Sequence, residues 1–382
     1  MGVCRLLSVF AAALLVLGAP AAAQAGKRHV PKGFFGATWD RAARSAPPRA
    51  RAGEWGAMSR SGVESVRVSF NWATALPHRD DPVDFGETDE DVARAARHGL
   101  RVLPVLELVP RWARHYPDRF ASPPANPSDY VEYLVALSYR YGPAGSFWAE
   151  RPDLPVHPIR EWQIWNEPEL RRAWDAPPGA SDAWPAGYVR LLAAARDQLK
   201  SADPGARLVM AGLANDSWNE LAEFYRAGGR GLFDVAAFHL YSRSGRNTYR
   251  AARLVRAVMR RNGDRRKPLY ATEIGCPASR GRLHSDRNFA TTDRGMARCV
   301  KDAYSSFARG RRWQRLRVRG LYWYTWASNY RGRSLFDYSG LRRLLPGGAR
   351  FRSKPALRTY ARLARRYEGC AKTARGRCRR RR

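Results

Sequence analysis

The sequence predicts an α/β chain folded as a single (β/α)8 TIM barrel, and three observations carry that expectation. Short β-rich apolar runs alternate with amphipathic helical stretches along most of the 382 residues, the pattern of a parallel sheet built from βα units. The cores of the runs are continuously apolar rather than alternating (Val-Leu-Pro-Val-Leu at 102–106, Leu-Tyr-Trp-Tyr at 321–324), as expected when both faces of a sheet are covered. Third, the GxGxxG fingerprint that would follow the first strand of a nucleotide-binding doubly wound sheet is missing, and neither a repeat nor an internal linker divides the chain.

Eight strands can be placed in order: 33–39, 65–72, 101–108, 160–165, 207–213, 233–240, 268–273 and 318–326. The helices between them are punctuated by their own chemistry. Asn126-Pro127-Ser128-Asp129 supplies an N-cap, a proline at the first helical position and an acid in the first turn. Tyr130, Leu134, Leu137 and Tyr141 follow at helical spacing, and Gly142-Pro143 closes the run. Tyr188, Leu191, Leu192, Ala195 and Leu199 form a second stripe, ended by Asp203-Pro204-Gly205. Leu254, Val255, Val258 and Met259 make a third, with Asn262-Gly263 as its stop, and Met296, Cys299, Val300, Ala303 and Phe307 a fourth. A last helix is expected from Pro355 to Tyr367.

The ends of the chain read differently. Residues 1–25 have the layout of an export signal: Arg5, an apolar stretch from Leu6 to Pro20, and the small-x-small triplet Ala23-Gln24-Ala25, which leaves Gly26 as the new first residue. The apolar run is shorter than the ~20 residues that span a bilayer, so a cleaved signal is favoured over an anchor. An extracellular location follows as an expectation. The four cysteines beyond the signal suit two disulfides, and nearness in sequence favours Cys276–Cys299 and Cys370–Cys378. The CxxC and HxxxH spacings of a zinc site are absent. Residues 370–382 form a basic tail, expected to be disordered apart from any cystine.

A formal charge of +34, mostly arginine, allows three readings. No nucleic-acid motif accompanies it. Adhesion to an anionic cell-surface polymer fits an exported protein better, and a solvated arginine-rich surface needs no partner at all. A monomer is expected.

Two glutamates stand at strand ends, where barrel proteins carry their functional groups. Glu167 lies in Trp162-Gln163-Ile164-Trp165-Asn166-Glu167-Pro168, where the proline stops the fourth strand. Glu273 lies in Leu269-Tyr270-Ala271-Thr272-Glu273-Ile274-Gly275, at the end of the seventh. Two carboxyl groups of this kind suit glycosidic-bond chemistry, in which one must be neutral to protonate the leaving oxygen and the other ionised.

The pair resembles the fourth- and seventh-strand glutamates of the clan A glycoside hydrolases. The Trp-Asn-Glu-Pro box is similar to that of the cellulase-like family 5 and β-xylosidase-like family 39 enzymes, over residues 34–367. The resemblance implies a retaining glycosidase without metal or organic cofactor, with a carbohydrate substrate, Glu167 as acid/base and Glu273 as nucleophile. It also implies roles for Arg67, His239, Tyr241 and Trp326. Arg67 would keep the nucleophile ionised, and Tyr241 would donate to the same carboxylate. His239 would hold a substrate hydroxyl or the acid/base region, and Asn166 the sugar 2-hydroxyl. Trp326 would form a platform under the sugar ring, while Trp39, Trp72, Trp112 and Trp174 are candidates for further subsites and Trp165 for packing. Glu107 is a spare carboxylate and Asp40 a loop residue. Glu169 departs from the family's box and would add negative charge beside Glu167. A non-catalytic glycan-binding barrel, and a barrel hydrolase using a metal, are the competing classes.

Overall fold

The computed structural model describes residues 26–40, 42–283, 289–348 and 350–379, so the signal segment and Arg380–Arg382 lie outside the described residues. Eight strands form one sheet: β1 (Phe35–Trp39), β2 (Ser65–Asn71), β3 (Arg101–Glu107), β4 (Glu161–Ile164), β5 (Arg207–Val209), β6 (Ala236–Tyr241), β7 (Leu269–Gly275) and β8 (Val318–Trp323). Their order is β5-β4-β3-β2-β1-β8-β7-β6, with every pair parallel. Parallel bridges Val209↔Val235 and Leu213↔Phe238 join the two outer strands and close the barrel. Every expected strand falls inside its predicted range or within two residues of it.

The predicted helices form for the reasons their sequences suggested. Asn126 accepts from the Ser128 N–H at 3.0 Å and opens Pro127–Tyr141, which buries Tyr130, Leu134, Leu137 and Tyr141. Thr292 caps Asp293–Ala308, and Gly369 at φ 87° ends Pro355–Glu368 in a conformation that costs a glycine little.

Tyrosines do much of the joining between layers. Tyr130 donates to the Leu106 carbonyl at the end of β3, and Tyr188 to the Ile164 carbonyl at the end of β4. Tyr304 and Tyr360 both donate to the carbonyl of Gly36 in β1. Phe35 sits among these rings, stacked on Tyr304 with centroids 4.7 Å apart and edge-on to Tyr360 at 5.4 Å. Gly36 is required beside them, because a Cβ there would come within 2.5 Å of the Tyr322 ring.

Three features differ from expectation. A second small sheet, β9 (Ala327–Ser328), β10 (Arg342–Leu344) and β11 (Phe351–Ser353), follows β8. Strands of two or three residues are too short to show a period, so nothing in the sequence marks them. Second, the tail from Cys370 to Arg379 is packed rather than disordered. Lys372 is buried between Glu64 (2.5 Å) and Glu368 (2.7 Å), and Arg379 N bonds the Ala371 carbonyl at 2.7 Å. Charge alone suggested a solvated tail, but its lysine finds two buried carboxylates on the barrel. Third, Trp326 is wholly buried and does not line the hollow at the barrel mouth, as described below. Cys276 pairs with Cys299 and Cys370 with Cys378, as nearness in sequence favoured. Among the described residues no helix is long and apolar enough to cross a membrane.

Because Phe35 ties β1 to two outer helices through its ring contacts, Phe35→Ala should destabilise the protein by about 3–5 kcal/mol. Chemical denaturation followed by tryptophan fluorescence measures this; a loss below about 1 kcal/mol would show that the ring cluster does not hold the layers together.

Candidate active site

The site is assembled from the C-terminal ends of the strands. Arg67 projects from β2 into the barrel, almost wholly buried, and its guanidinium makes three bonds. Nη1 donates to Glu273 Oε1 (2.7 Å), Nη2 to Asn166 Oδ1 (2.7 Å) and Nε to Gln163 Oε1 (2.6 Å). One cation thus joins β2 to β4, the segment after β4, and β7. Gln163 in turn donates to the Met210 carbonyl at 3.2 Å.

Glu273 is 7% exposed. Its second oxygen, Oε2, accepts from the Tyr241 hydroxyl at the end of β6. Burial holds that phenol well above its usual pKa, so it stays a proton donor. His239 is the register partner of Glu273 across β6 and β7, next to an irregularity in the pairing at Phe238/His239. It is 0% exposed, with Nε2 3.0 Å from Thr272 Oγ1 and Nδ1 2.9 Å from Glu167 Oε1.

Glu167 is 6% exposed, and its backbone is unusual. Trp165 and Glu167 both adopt positive φ, 71° and 46°, a region that disfavours side chains and is tolerated where surrounding structure enforces it. The enforcement is visible: Glu167 N bonds the Gly212 carbonyl at 3.2 Å, and the Trp165 indole bonds the Ala173 carbonyl at 3.1 Å. The turn between them returns Arg172 to Glu167, with Nη2 2.7 Å from Oε2 although the arginine side chain is 64% exposed. Burial raises the affinity of Glu167 for a proton, but His239 and Arg172 outweigh it and hold the carboxyl below its usual range.

Two hollows meet at this carboxylate. One of about 190 Å³ is lined by Asp40, Arg67, Glu107, Glu273, Tyr324 and Phe336 among others. A neighbour of about 180 Å³ is lined by Phe120, Ser122 and Trp165, and Glu107, Asn166, Glu167 and Arg172 belong to both. Burial raises the Glu107 carboxyl above its usual pKa, partly offset by the charge of Arg67 and a bond to Ser69.

Of the residues expected from sequence, Glu167, Glu273, Asn166 and Arg67 line the first hollow. His239 and Tyr241 stand behind the two glutamates and hold them. Trp326 does not join the site: it is 0% exposed, and its indole donates to Glu54 Oε2 at 2.7 Å, so it has no face to offer a ligand. The aromatic wall is made instead by Tyr324 and Phe336, which pack edge-on against Tyr241 and each other. Trp39 reaches the same hollow from beside Trp55, whereas Trp72 and Trp174 are buried in ring packing. Trp112 is half-buried and bonds the Leu76 carbonyl. Asp40, expected as a loop residue, lines the hollow and accepts from Tyr324. Gln163 and Arg172 were not singled out in the sequence. A glutamine inside an otherwise apolar strand was a usable signal for Gln163; for Arg172 there was none.

Glu169 also departs from expectation. Instead of adding charge beside Glu167, its carboxyl is pushed up to about 8 by burial, despite a bond from the Ala214 N–H at 2.6 Å. Glu167, His239 and Glu273 place one ligand atom each within 4.8 Å of one another, a spacing that a metal ion could span. Arg67, Tyr241, Arg172 and His239 already donate to the carboxylate oxygens concerned, so a cation would have to displace them.

The features define a class: a (β/α)8 barrel with two buried carboxylates paired at the ends of β4 and β7. Solved structures similar to it come from the groups whose Asn-Glu-Pro box the sequence resembles. A family 39 glycoside hydrolase from Bacteroides cellulosilyticus aligns with a TM-score of 0.65 at 16% identity, over 89% of this chain and 64% of that one. The chain therefore spans less than two thirds of that relative. A monomeric β-xylosidase from Caulobacter crescentus aligns at 0.62 and 16% identity, over 90% and 70%. A GH5_18 protein from Bifidobacterium longum, in complex with Manb1-4GlcNAc, aligns at 0.60 and 17% identity, over 90% and 80%. At this identity the likeness shows the shared fold. No family model matches the chain, and no curated protein matches it in sequence.

The raised Glu169 carboxyl has a measurable consequence. The unfolded chain loses this proton near 4.5 and the folded chain near 8. Its contribution to stability is therefore complete below about 4.5 and is lost as pH rises through 8. Glu169→Gln, which mimics the protonated form, should be more stable than the parent at pH 8, by on the order of 3 kcal/mol, and much less so at pH 5. Urea denaturation at the two pH values checks this; an equal difference at both would contradict it.

Proposed function

We propose that this protein is a secreted, monomeric retaining glycoside hydrolase that cleaves β-glycosidic bonds of oligo- or polysaccharides by double displacement. The observation that carries the reading is the spacing of the pair: an oxygen of Glu167 and one of Glu273 lie within 4.8 Å at the ends of β4 and β7. Carboxyl groups about 5–5.5 Å apart suit attack by one of them, whereas inverting enzymes hold theirs about 6.5–9.5 Å apart to admit a water.

The hollows divide the roles. Glu273 lines only the first, so that hollow takes the sugar whose anomeric carbon is attacked, and the second takes the leaving group. Glu167 lines both and stands where the bond between them breaks. Arg67 and Tyr241 occupy one oxygen face each of Glu273 and orient its carboxylate for attack. Glu167 donates its proton to the leaving oxygen as the covalent glycosyl-enzyme forms. It then takes a proton from the water that releases the sugar with its configuration retained.

Glu167 must hold a proton for the first step, yet in the unliganded site His239 and Arg172 keep it low. A substrate entering the second hollow displaces the exposed Arg172 and removes one of these charges. In this reading Asn166 bonds the sugar 2-hydroxyl; it lines the first hollow, and with its amide oxygen held by Arg67 its N–H group is left for the substrate. Phe336 and Tyr324 supply the apolar wall.

Two experiments test the assignment. A 2-deoxy-2-fluoro β-glycoside should label Glu273, identified by mass spectrometry of the digest; a label elsewhere would overturn the nucleophile. Arg172→Ala removes a charge that lowers the Glu167 carboxyl, so its pKa rises. The alkaline limb of kcat/KM, where the acid loses its proton, should then move up by about 0.5–1 pH unit. An unmoved or downward limb would exclude Glu167 as the acid or Arg172 as its partner.

A further inference from the structure

A hollow several times larger than either of those at the glutamates lies elsewhere. It lies at the opposite end of the barrel, measures about 1000 Å³, and is walled on one side by the cystine-closed tail. The tail is fixed there by several contacts. Lys372 pairs with Glu64 and Glu368, Ser59 Oγ donates to the Thr373 carbonyl at 3.1 Å, and His98 Nδ1 lies 2.7 Å from the Ala374 carbonyl. A second hollow of about 400 Å³, under the starts of β2, β3, β4 and β5, shares Arg101 and His157 with the first. The two hollows adjoin at these residues as a groove along this end of the barrel.

Its lining is cationic. Lys32, Arg97, Arg101, Arg375 and Arg377 line the larger hollow beside Lys372, and Arg160 and Arg207 line the smaller. These eight cations face three carboxylates, each already engaged. Glu64 takes Arg28 and Lys372, Asp153 takes Arg97 and Arg151, and Glu161 takes Arg207. Lys32, Arg101, Arg375 and Arg377 are exposed, and none pairs with a carboxylate among the described residues; Arg101 bonds only the Lys32 carbonyl, at 2.7 Å. Four unmatched cations are held on two facing walls, one from the barrel and one from the tail. No Phe, Tyr or Trp ring lines either hollow; the rings there are the imidazoles of His98, bonded to the Ala374 carbonyl, and His157, so the broad stacking surfaces on which single-stranded nucleic acid depends are missing.

We infer that this groove is a binding site for an acidic polysaccharide, a chain bearing carboxylates at sugar-unit intervals, held by Lys32, Arg101, Arg375 and Arg377 at the end of the barrel remote from the glutamates. Arginine forks match carboxylates two bonds at a time, and facing walls hold a strand where a flat basic surface would not. The inference is independent of the glycosidase reading, because the groove shares no residue with either hollow at the glutamates.

The test must separate the groove from the basic surface as a whole. Binding of polygalacturonate is measured by affinity electrophoresis for the parent, for Arg375→Glu/Arg377→Glu and for Lys32→Glu on the facing wall. A control, Arg253→Glu/Arg260→Glu, makes the same change of charge as the double tail variant, and twice that of Lys32→Glu, on exposed positions of the helix 246–261. All four arginines are exposed, and circular dichroism confirms that each variant is folded. The groove variants should bind at least tenfold more weakly and the control less than twofold, with parent binding weakened by added salt. Equal losses in groove and control variants would overturn the site. Oligothymidylate binding as tightly with the same groove dependence would assign it to nucleic acid instead. Neutral xylan bound with that dependence would overturn the charge-based recognition.

Discussion

The guanidinium of Arg67 is the constraint on which the rest of the site depends. Burying a permanent cation inside a barrel costs several kcal/mol unless every donor finds a partner. Here the partners come from two places far apart in sequence: Gln163 and Asn166 in and just after β4, and Glu273 in β7. Meeting the demand of one charge therefore sets the positions of β2, β4 and β7 relative to one another. It also decides which oxygen of Glu273 is occupied from below and which is left for Tyr241. A lysine could not do this, since it lacks the planar fork that reaches three acceptors at fixed angles.

A second layer follows from the first. With Glu273 held by Arg67, its register partner His239 is turned toward Glu167 and braced by Thr272. Glu167 meets it only because the chain at Trp165–Glu167 accepts positive φ, a local cost borne by bonds to the Gly212 and Ala173 carbonyls. The two carboxylates thus have different neighbours, and that difference is what lets similar groups take different parts. Glu273 is gripped by buried, permanent partners. Glu167 is held by one buried histidine and by an exposed arginine that a ligand can push aside.

The two ends of the barrel also differ in sign. Asp40, Glu107, Glu167 and Glu273 gather at the C-terminal ends of the strands, with Arg67 and Arg172 among them. The N-terminal ends carry the cationic groove, closed by a tail that a strongly basic composition would place in solvent. Lys372 reverses that expectation because two buried carboxylates, Glu64 and Glu368, are there to receive it.

The sequence by itself determined the barrel, because eight continuous apolar runs separated by capped helical stripes have few other ways to cover both faces of a sheet. It also marked both glutamates, since a carboxylate ending a strand before proline or glycine is legible from local context. Arg67 and Tyr241 were legible through the chemistry such a pair requires. What the tertiary structure alone decided is which side chains face the hollow. Trp326 and Trp39 are the same residue type at neighbouring strand ends, yet one donates to Glu54 in the outer layer and the other reaches the site. Arg172, Phe336 and the small sheet that follows β8 owe their places to turns with no period. The charge state of Glu169 was misjudged for a related reason: its pKa is set by burial, which depends on the loop that carries Ala214 folding over it. Local sequence encodes the direction of a strand and the cap of a helix, but the surroundings of a side chain are supplied by residues far away in the chain.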